Sequence, residues 1–427
     1  MTKHLDHRGR PIIAITGFGV VSSLGEGWQD NWRKLTSGVS GIHRITRFPT
    51  EHLRTTMAGT VDFLAGANGS SYERTFGFAK SAASEALVMA GTPEGSFGGA
   101  LVVAAPPVEI EWAERFELDK LGRASDSDSA GYRAMVSAAH GNAPLAAKRA
   151  ARFGEVAANL QAEFGSRGLP ITLSTACASG ATAIQTAAEM LHRGETDRAL
   201  AIGTDGSVTA EALIRFSLLS ALSTQNDDPK TASKPFSKDR DGFVMAEGAG
   251  AFVLETLEAA KARGAKVLGI LAGCGECADD FHRTRSKPDG SPAIAAVRRA
   301  LDDAGITPGE VDYINAHGTS TPENDKMEYM SLTSVFGERL GGTPISSNKS
   351  MIGHTLTAAG AIEAVFSLLA IRESTLPPTV NHQNPDPAID LDVVPNEKRD
   401  ATVSRVLSNS FGFGGQNACL VIAAEPE

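Results

Sequence analysis

Residues 171 to 194 read ITLSTACASGATAIQTAAEMLHRG. The β-branched run ITLST is expected to form a short buried strand, and Ala181, Ile184, Ala188 and Leu191 recur at the three- and four-residue spacing of a helix that Gly194 can close. Cys177 lies between the two, at or near a helix N-terminus. There, unpaired backbone N–H groups and the positive end of the helix dipole favour a thiolate over a thiol, which is how a nucleophile is made. A small buried residue that merely ends a strand is the plainer alternative. This stretch alone does not choose between them.

Working outward, strand-like runs alternate with alanine-rich amphipathic stretches along the whole chain. The runs are PIIAITGFG, ALVVAAP, ITLST, RALAIGTD, GAFVLE, KVLGILAGC, VDYINAHG, TPISSNK, VLSNSFGFGG and ACLVIAA. That alternation predicts an α/β fold. The two halves look loosely alike, each with a reactive-looking residue where a strand ends, although their letters are too different to establish a duplication. The polar stretch LGRASDSDSAG, 121–131, reads as an excursion and not as a linker.

The 427 residues, 42% of them hydrophobic, suffice for a large core. The most apolar stretch, LTAAGAIEAVFSLLAI from residue 356, carries Glu363 in its middle and falls short of the roughly 18 to 20 residues of a membrane span. It predicts a buried helix. The first residues lack the apolar core of a signal peptide, so a cytoplasmic location is expected. Four cysteines are too few for a disulfide scaffold, and the formal net charge of −10 argues against nucleic acid as a partner.

Two further segments hold candidate chemistry. His317 follows a strand-like run and precedes Thr319, Ser320 and Thr321; Lys349 and His354 stand just ahead of the helix predicted from residue 356. Histidines at two strand ends, together with a cysteine at a helix start, suggest acid–base or electrophilic chemistry near neutral pH. The glycine-rich NSFGFGGQN, 409–417, lacks the Lys-Ser/Thr ending of a phosphate-binding loop. GFGVVS at 17–22 lacks the third glycine of a dinucleotide fingerprint. Cys274 and Cys277, with His282 behind them, make half a zinc pattern and read as packed strand residues, as does Cys419.

Taken in order, TACASG, SKPFSKDRDGFVMAEGAGAFVLE, NAHGTSTPENDKMEYM, NKSMIGH and SNSFGFGGQN resemble the elongating β-ketoacyl-acyl carrier protein synthases of fatty-acid synthesis, over nearly the whole chain. The resemblance implies a thiolase-like duplicated fold in five α-β-α-β-α layers, with halves at 1–265, including an excursion at 110–150, and 266–427. It implies a homodimer that meets acyl carrier protein transiently, and no cofactor beyond the phosphopantetheine that the substrates carry. Cys177 would be acylated, with the backbone N–H groups of Cys177 and Phe413 as oxyanion hole, and neutral His317 and His354 would stabilise the enolate left by malonyl decarboxylation. Lys349, paired with Glu328, would tune the field at the histidines. Thr319 and Thr321 would hold the pantetheine arm, with His282, Thr284 and Phe411 along the substrate passage and Phe413 gating the acyl channel. No catalytic metal is implied, but some relatives hold a structural monovalent cation with residues matching Asn315, Glu363, Ser408 and Asn409.

Gln416, AAPP at 104–107 and the charged stretch 110–150 depart from the usual pattern. Against the family's usual basic docking surface, the matching stretch keeps only Arg74 and Lys80, while Lys148, Arg149 and Arg152 form a new basic cluster; together these suggest a specialised carrier protein or an unusual, long acyl chain. A polyketide-type ketosynthase and a catalytically silent partner subunit remain the alternatives. The silent subunits lack the cysteine.

Overall fold

The computed structural model describes residues 4–107, 110–125, 130–141 and 152–425. Its first half contains β1 (Ile13–Ser22), β2 (Ala100–Ala104), β3 (Ile171–Leu173), β4 (Arg198–Asp205) and β5 (Gly248–Thr256). The second contains β6 (Gly269–Ala278), β7 (Tyr313–Asn315), β8 (Ile345–Ser346), β9 (Arg405–Phe411) and β10 (Gln416–Ala423). Each of these ten strands overlaps one of the runs named above.

These strands follow one path, β3-β2-β4-β5-β1-β6-β10-β9-β7-β8. Within each half the spatial order is third, second, fourth, fifth, first, and the pairing sense also repeats: β2 is parallel to β3 and β4 as β7 is to β8 and β9, and the remaining pairs are antiparallel. The halves join where Ile13, Ala14 and Ile15 pair with Leu271, Ile270 and Gly269. Topology thus repeats where the letters do not.

Helices cover both faces, which is why the strands are almost continuously apolar. In β2, Val102 and Ala104 face the central core while Leu101 and Val103 face an outer one. Among the helices are α1 (Ser71–Met89), α2 (Ser179–His192), α3 (Ser291–Ala304), α4 (Pro322–Phe336) and α5 (Ala359–Glu373). Helix α1 packs outside β1, β4 and β5; α3 packs outside β6 and β10 with α4 against it; α2 and α5 touch strands of both halves and fill the middle. The layers are therefore α-β-α-β-α. Ala181, Ile184, Ala188 and Leu191 all lie in the central core.

Helices α2 and α5 cross at glycines. A Cβ on Gly180 would stand 2.5 Å from the Ala361 nitrogen, and one on Gly360 would stand 2.6 Å from that of Ala181. This close approach brings the start of α2 to the start of α5, so Cys177 meets the segment that carries His354. Residues 359–371 of α5 are buried throughout, as expected. Among the described residues, no helix is long and apolar enough to cross a membrane.

The strand ITLST is not buried. Residues 171–173 form an edge strand paired only with β2, and Ile171 is 36% exposed.

Candidate active site

Cys177 lies just before α2, whose N-cap is Ala178. The chain reaches it through Ala176, held at φ 50°, a left-handed conformation that costs a residue with a Cβ about 1–2 kcal/mol. Ser179 holds this turn closed: its Oγ accepts the Thr175 N–H at 2.7 Å and donates to the Ala176 carbonyl at 2.6 Å. Cys177 sits at the meeting of two cavities and is 7% exposed.

The expectation of a resting thiolate is not met. Burial pushes the thiol up to about 11, against the opposing pull of the Phe413 N–H and the positive charge of Lys349. Desolvation exceeds the contribution of the helix start. The Phe413 N–H lies beside the sulfur and hydrogen-bonds to it.

His317 follows β7, and its loop is held by Glu328 of α4. That carboxylate accepts the His317 and Gly318 N–H groups at 2.8 and 2.7 Å and the Asn409 amide at 3.1 Å. His354 is fixed by backbone bonds to Val244 and Ala246. The two rings meet edge to face, with centroids 5.3 Å apart.

Their protonation follows from their neighbours. His354 Nδ1 accepts the Leu356 N–H at 3.3 Å, and His317 Nδ1 faces the Lys349 ammonium at 3.4 Å. Each Nδ1 is thus an acceptor, and each Nε2 carries the hydrogen. His354 Nε2 is buried with no protein partner. Burial first, then the Lys349 charge, holds both imidazoles well below their ordinary pKa, so both are neutral donors near pH 7.

The expected Lys349–Glu328 pair does not form. Lys349 instead pairs with Glu363, both being 1% exposed, while Glu328 is occupied by backbone groups. Burial pushes Glu363 up to about 7, with the nearby lysine opposing that rise. An acid inside an apolar helix needs a cation, and the start of α5 lies against the segment that supplies one.

The larger cavity, about 650 Å³, is lined by Cys177, Val208, Phe216, Leu356 and Phe413, and by Pro106 and Pro107 of the departing AAPP segment. The smaller, about 60 Å³, brings together Cys177, both histidines, His282, Thr284, Thr319, Thr321, Phe411 and Phe413. All the expected passage residues therefore share one space. Phe216, Phe243 and Leu356, which also line it, carry no sequence signal that distinguishes them from core residues.

Arg74 is not a docking residue. It is 2% exposed, bonds the Gly206 carbonyl at 2.9 Å and faces Glu247 at 3.3 Å. Its place one turn before Phe78 on the buried stripe of α1 is the signal the charge count missed. Lys80 is exposed and paired with Glu163 at 2.6 Å. Lys148 and Arg149 lie outside the described residues; Arg152 is exposed.

Cys274 and Cys277 pack against different cores, since residues three apart on a strand face opposite sides. Among the described residues, the metal-ligand grouping is Cys177, His317 and His354, whose ligand atoms lie within 4.8 Å of one another. It does not suit a metal, because both Nε2 atoms hold hydrogens and a lysine stands behind them.

Two family models match: Beta-ketoacyl synthase, N-terminal domain, over residues 11–91 and 124–260, and Beta-ketoacyl synthase, C-terminal domain, over 268–383. The chain is 37% identical over 426 residues to 3-oxoacyl-[acyl-carrier-protein] synthase 2 of Staphylococcus aureus (strain COL), covering 96% of this chain and 97% of that protein. It superposes on the ketosynthase of a type II PKS acyl-carrier protein complex bound to a hexaketide, with TM-score 0.86 and 32% identity over 97% of this chain and 100% of that one. The ishigamide ketosynthase/chain length factor matches with TM-score 0.84 and 32% identity over 98% and 100%.

Proposed function

We propose that this chain, which belongs to the beta-ketoacyl synthase family, extends an acyl chain by two carbons, by decarboxylative condensation of malonyl carrier protein with an acyl group held on Cys177. The observation that carries this reading is one buried thiol beside two neutral imidazoles whose tautomers are both fixed.

In the first step Cys177 Sγ attacks the carrier's thioester carbon. The tetrahedral oxyanion is held by the N–H groups of Cys177 and Phe413, the carrier's C–S bond breaks, and the proton lost by Cys177 ends on the departing thiol. In the second, the malonyl C–C bond breaks to release CO2, and the enolate oxygen accepts from His317 and His354 Nε2–H. The enolate carbon then attacks the acyl-Cys177 carbon and expels the thiolate. A thiol whose pKa is about 11 regains a proton at once, which resets the site.

We place the halves at 1–265 and 266–427. Thr319 and Thr321, whose hydroxyls bond at 2.9 Å, would hold the pantetheine arm, and the Lys148, Arg149 and Arg152 cluster would meet a specialised carrier protein. A second copy would cover the open edge of β3, where Ile171 and Leu169 are exposed. A structural monovalent cation fits the oxygen-rich set around Asn315, Glu363, Ser408 and Asn409, where Glu363 Oε2 and Asn409 Oδ1 are buried without hydrogen-bond partners. The reaction needs no cofactor beyond the phosphopantetheine arm of its substrates, and its setting would be the cytoplasm.

The polyketide-type reading shares every step and differs in the chain accepted. Purified protein given acyl and malonyl carrier proteins should yield a β-ketoacyl carrier two carbons longer, read by mass. Intact substrates after long incubation would leave the silent-subunit reading instead.

A further inference from the structure

His354 keeps its hydrogen on Nε2 only while Nδ1 acts as an acceptor, and the group that donates to Nδ1 is the Leu356 N–H, at 3.3 Å. Leu356 is itself strained. It stands at φ 47°, in the left-handed region that a leucine rarely enters. Such a conformation persists only where the surrounding structure imposes it.

The constraint comes from the next peptide. Thr357 donates its N–H to Asp205 Oδ2 at 3.2 Å, and its hydroxyl lies 2.7 Å from both that oxygen and the Thr204 carbonyl. The peptide N–H groups on the two sides of the Leu356 Cα are therefore both held by side chains, one by His354 and the other by Asp205. Asp205 is the last residue of β4 and is 1% exposed. Its other oxygen takes the Ser207 N–H at 3.0 Å and the Ser207 hydroxyl at 2.5 Å, so the carboxyl group is pinned at both ends.

We propose that Asp205 is a positioning residue for decarboxylation: with Thr357 it clamps the strained turn at Leu356, keeps that N–H on His354 Nδ1, and so keeps a hydrogen on Nε2 for the enolate oxygen. This deepens the proposed function and rests on it, since the tautomer of His354 bears on the reaction only if a malonyl thioester is decarboxylated there. The clamp ties the end of β4 to the turn that leads into α5. Without it, Leu356 would relax towards the right-handed region, its N–H would leave Nδ1, and the tautomer would no longer be fixed. Asp205 and Thr357 also line the larger cavity, so the competing account is that they seat the acyl chain; that role would show in acyl transfer and not in CO2 release.

The test compares three variants of the full chain: Thr357→Val, which keeps the shape and loses the hydroxyl; Asp205→Ala, which loses the whole clamp; and Thr357→Ser, which keeps the hydroxyl. For each, CO2 release from malonyl carrier protein and acyl adduct formation on Cys177 by intact mass are measured separately. Nitrogen NMR of histidine-labelled protein, with the His354 signals assigned by their loss in His354→Ala, reads the tautomer. Thr357→Val should lower the ratio of CO2 release to acyl transfer by about two- to tenfold, the scale of one net hydrogen bond. Asp205→Ala should lower it further, towards the factor of about 10² for loss of a donor, and in both variants the His354 nitrogen signals should shift from a pure Nε2–H form to a mixture. Thr357→Ser should return the ratio to that of the wild type. Should Asp205→Ala fail to fold, Thr357→Val decides alone. An unchanged ratio in Thr357→Val overturns the proposal, and acyl transfer falling more than CO2 release assigns the pair to the acyl wall instead. Both results leave the proposed function standing, whereas a wild-type protein that releases no CO2 sinks that reading and the clamp with it.

Discussion

Replacing His354 with alanine separates the two half-reactions. Its Nε2–H is buried, neutral and unpartnered, as a donor aimed at developing charge must be. Loss of one such donor costs a factor of about 10² to 10³ in rate, or about 2.7–4 kcal/mol. In the proposed mechanism the acylation half uses other donors, the N–H groups of Cys177 and Phe413, and should fall by less than about tenfold. The variant also strands the Leu356 N–H, now bonded to His354 Nδ1 at 3.3 Å, a stability loss of about 1–3 kcal/mol. CO2 release from malonyl carrier protein measures one half, acyl adduct by intact mass the other, and thermal melting the third effect. Decarboxylation at the wild-type rate, or both halves slowed by one common factor, would refute the assignment.

Cys177→Ser should abolish condensation because no base is placed to activate a hydroxyl, whereas Cys177→Gln should still decarboxylate malonyl carrier protein; full condensation by the serine variant would contradict this. With the thiol at about 11, alkylation of Cys177 should climb steadily from about pH 7 to 10, and a plateau below pH 8 would contradict the buried thiol. The histidines set a trend in stability at lower pH. Unfolded, they take protons near 6.5, while folded they resist them, so the unfolded chain binds more protons and their contribution shrinks as pH falls below 6.5. Denaturant titrations at two pH values check that sign. Lys349→Met strands Glu363 and should cost about 3–5 kcal/mol, more at high pH because the unpaired acid must then stay protonated against bulk solution. Adding Glu363→Gln should recover part of that loss, and no recovery would mean the pair is not what the lysine stabilises.

Much of this was legible in the letters. Each of the ten strands on the sheet's main path overlaps a run marked by β-branched and apolar residues, because helices on both faces make the inner strands apolar. Cys177, His317 and His354 were found because each follows a strand or stands before a helix in a patterned segment. What the letters could not carry was pairing. Glu363 stood out as an acid in an apolar helix, yet nothing local named Lys349 as its partner. Arg74 reads as surface charge from composition although it lies on a buried stripe, and ITLST reads as interior because composition does not reveal which strand ends a sheet. The thiol's protonation was misread for a related reason: a helix start is visible in sequence, but the depth at which it lies is not.

The central claim is that Cys177 carries the acyl group. Mixing the purified protein with an acyl carrier protein thioester, then measuring intact mass and mapping the modified peptide, tests it directly. The account predicts one acyl increment, located on Cys177 and absent from Cys177→Ser. An unmodified protein, or an increment that persists in the serine variant at another residue, would contradict it.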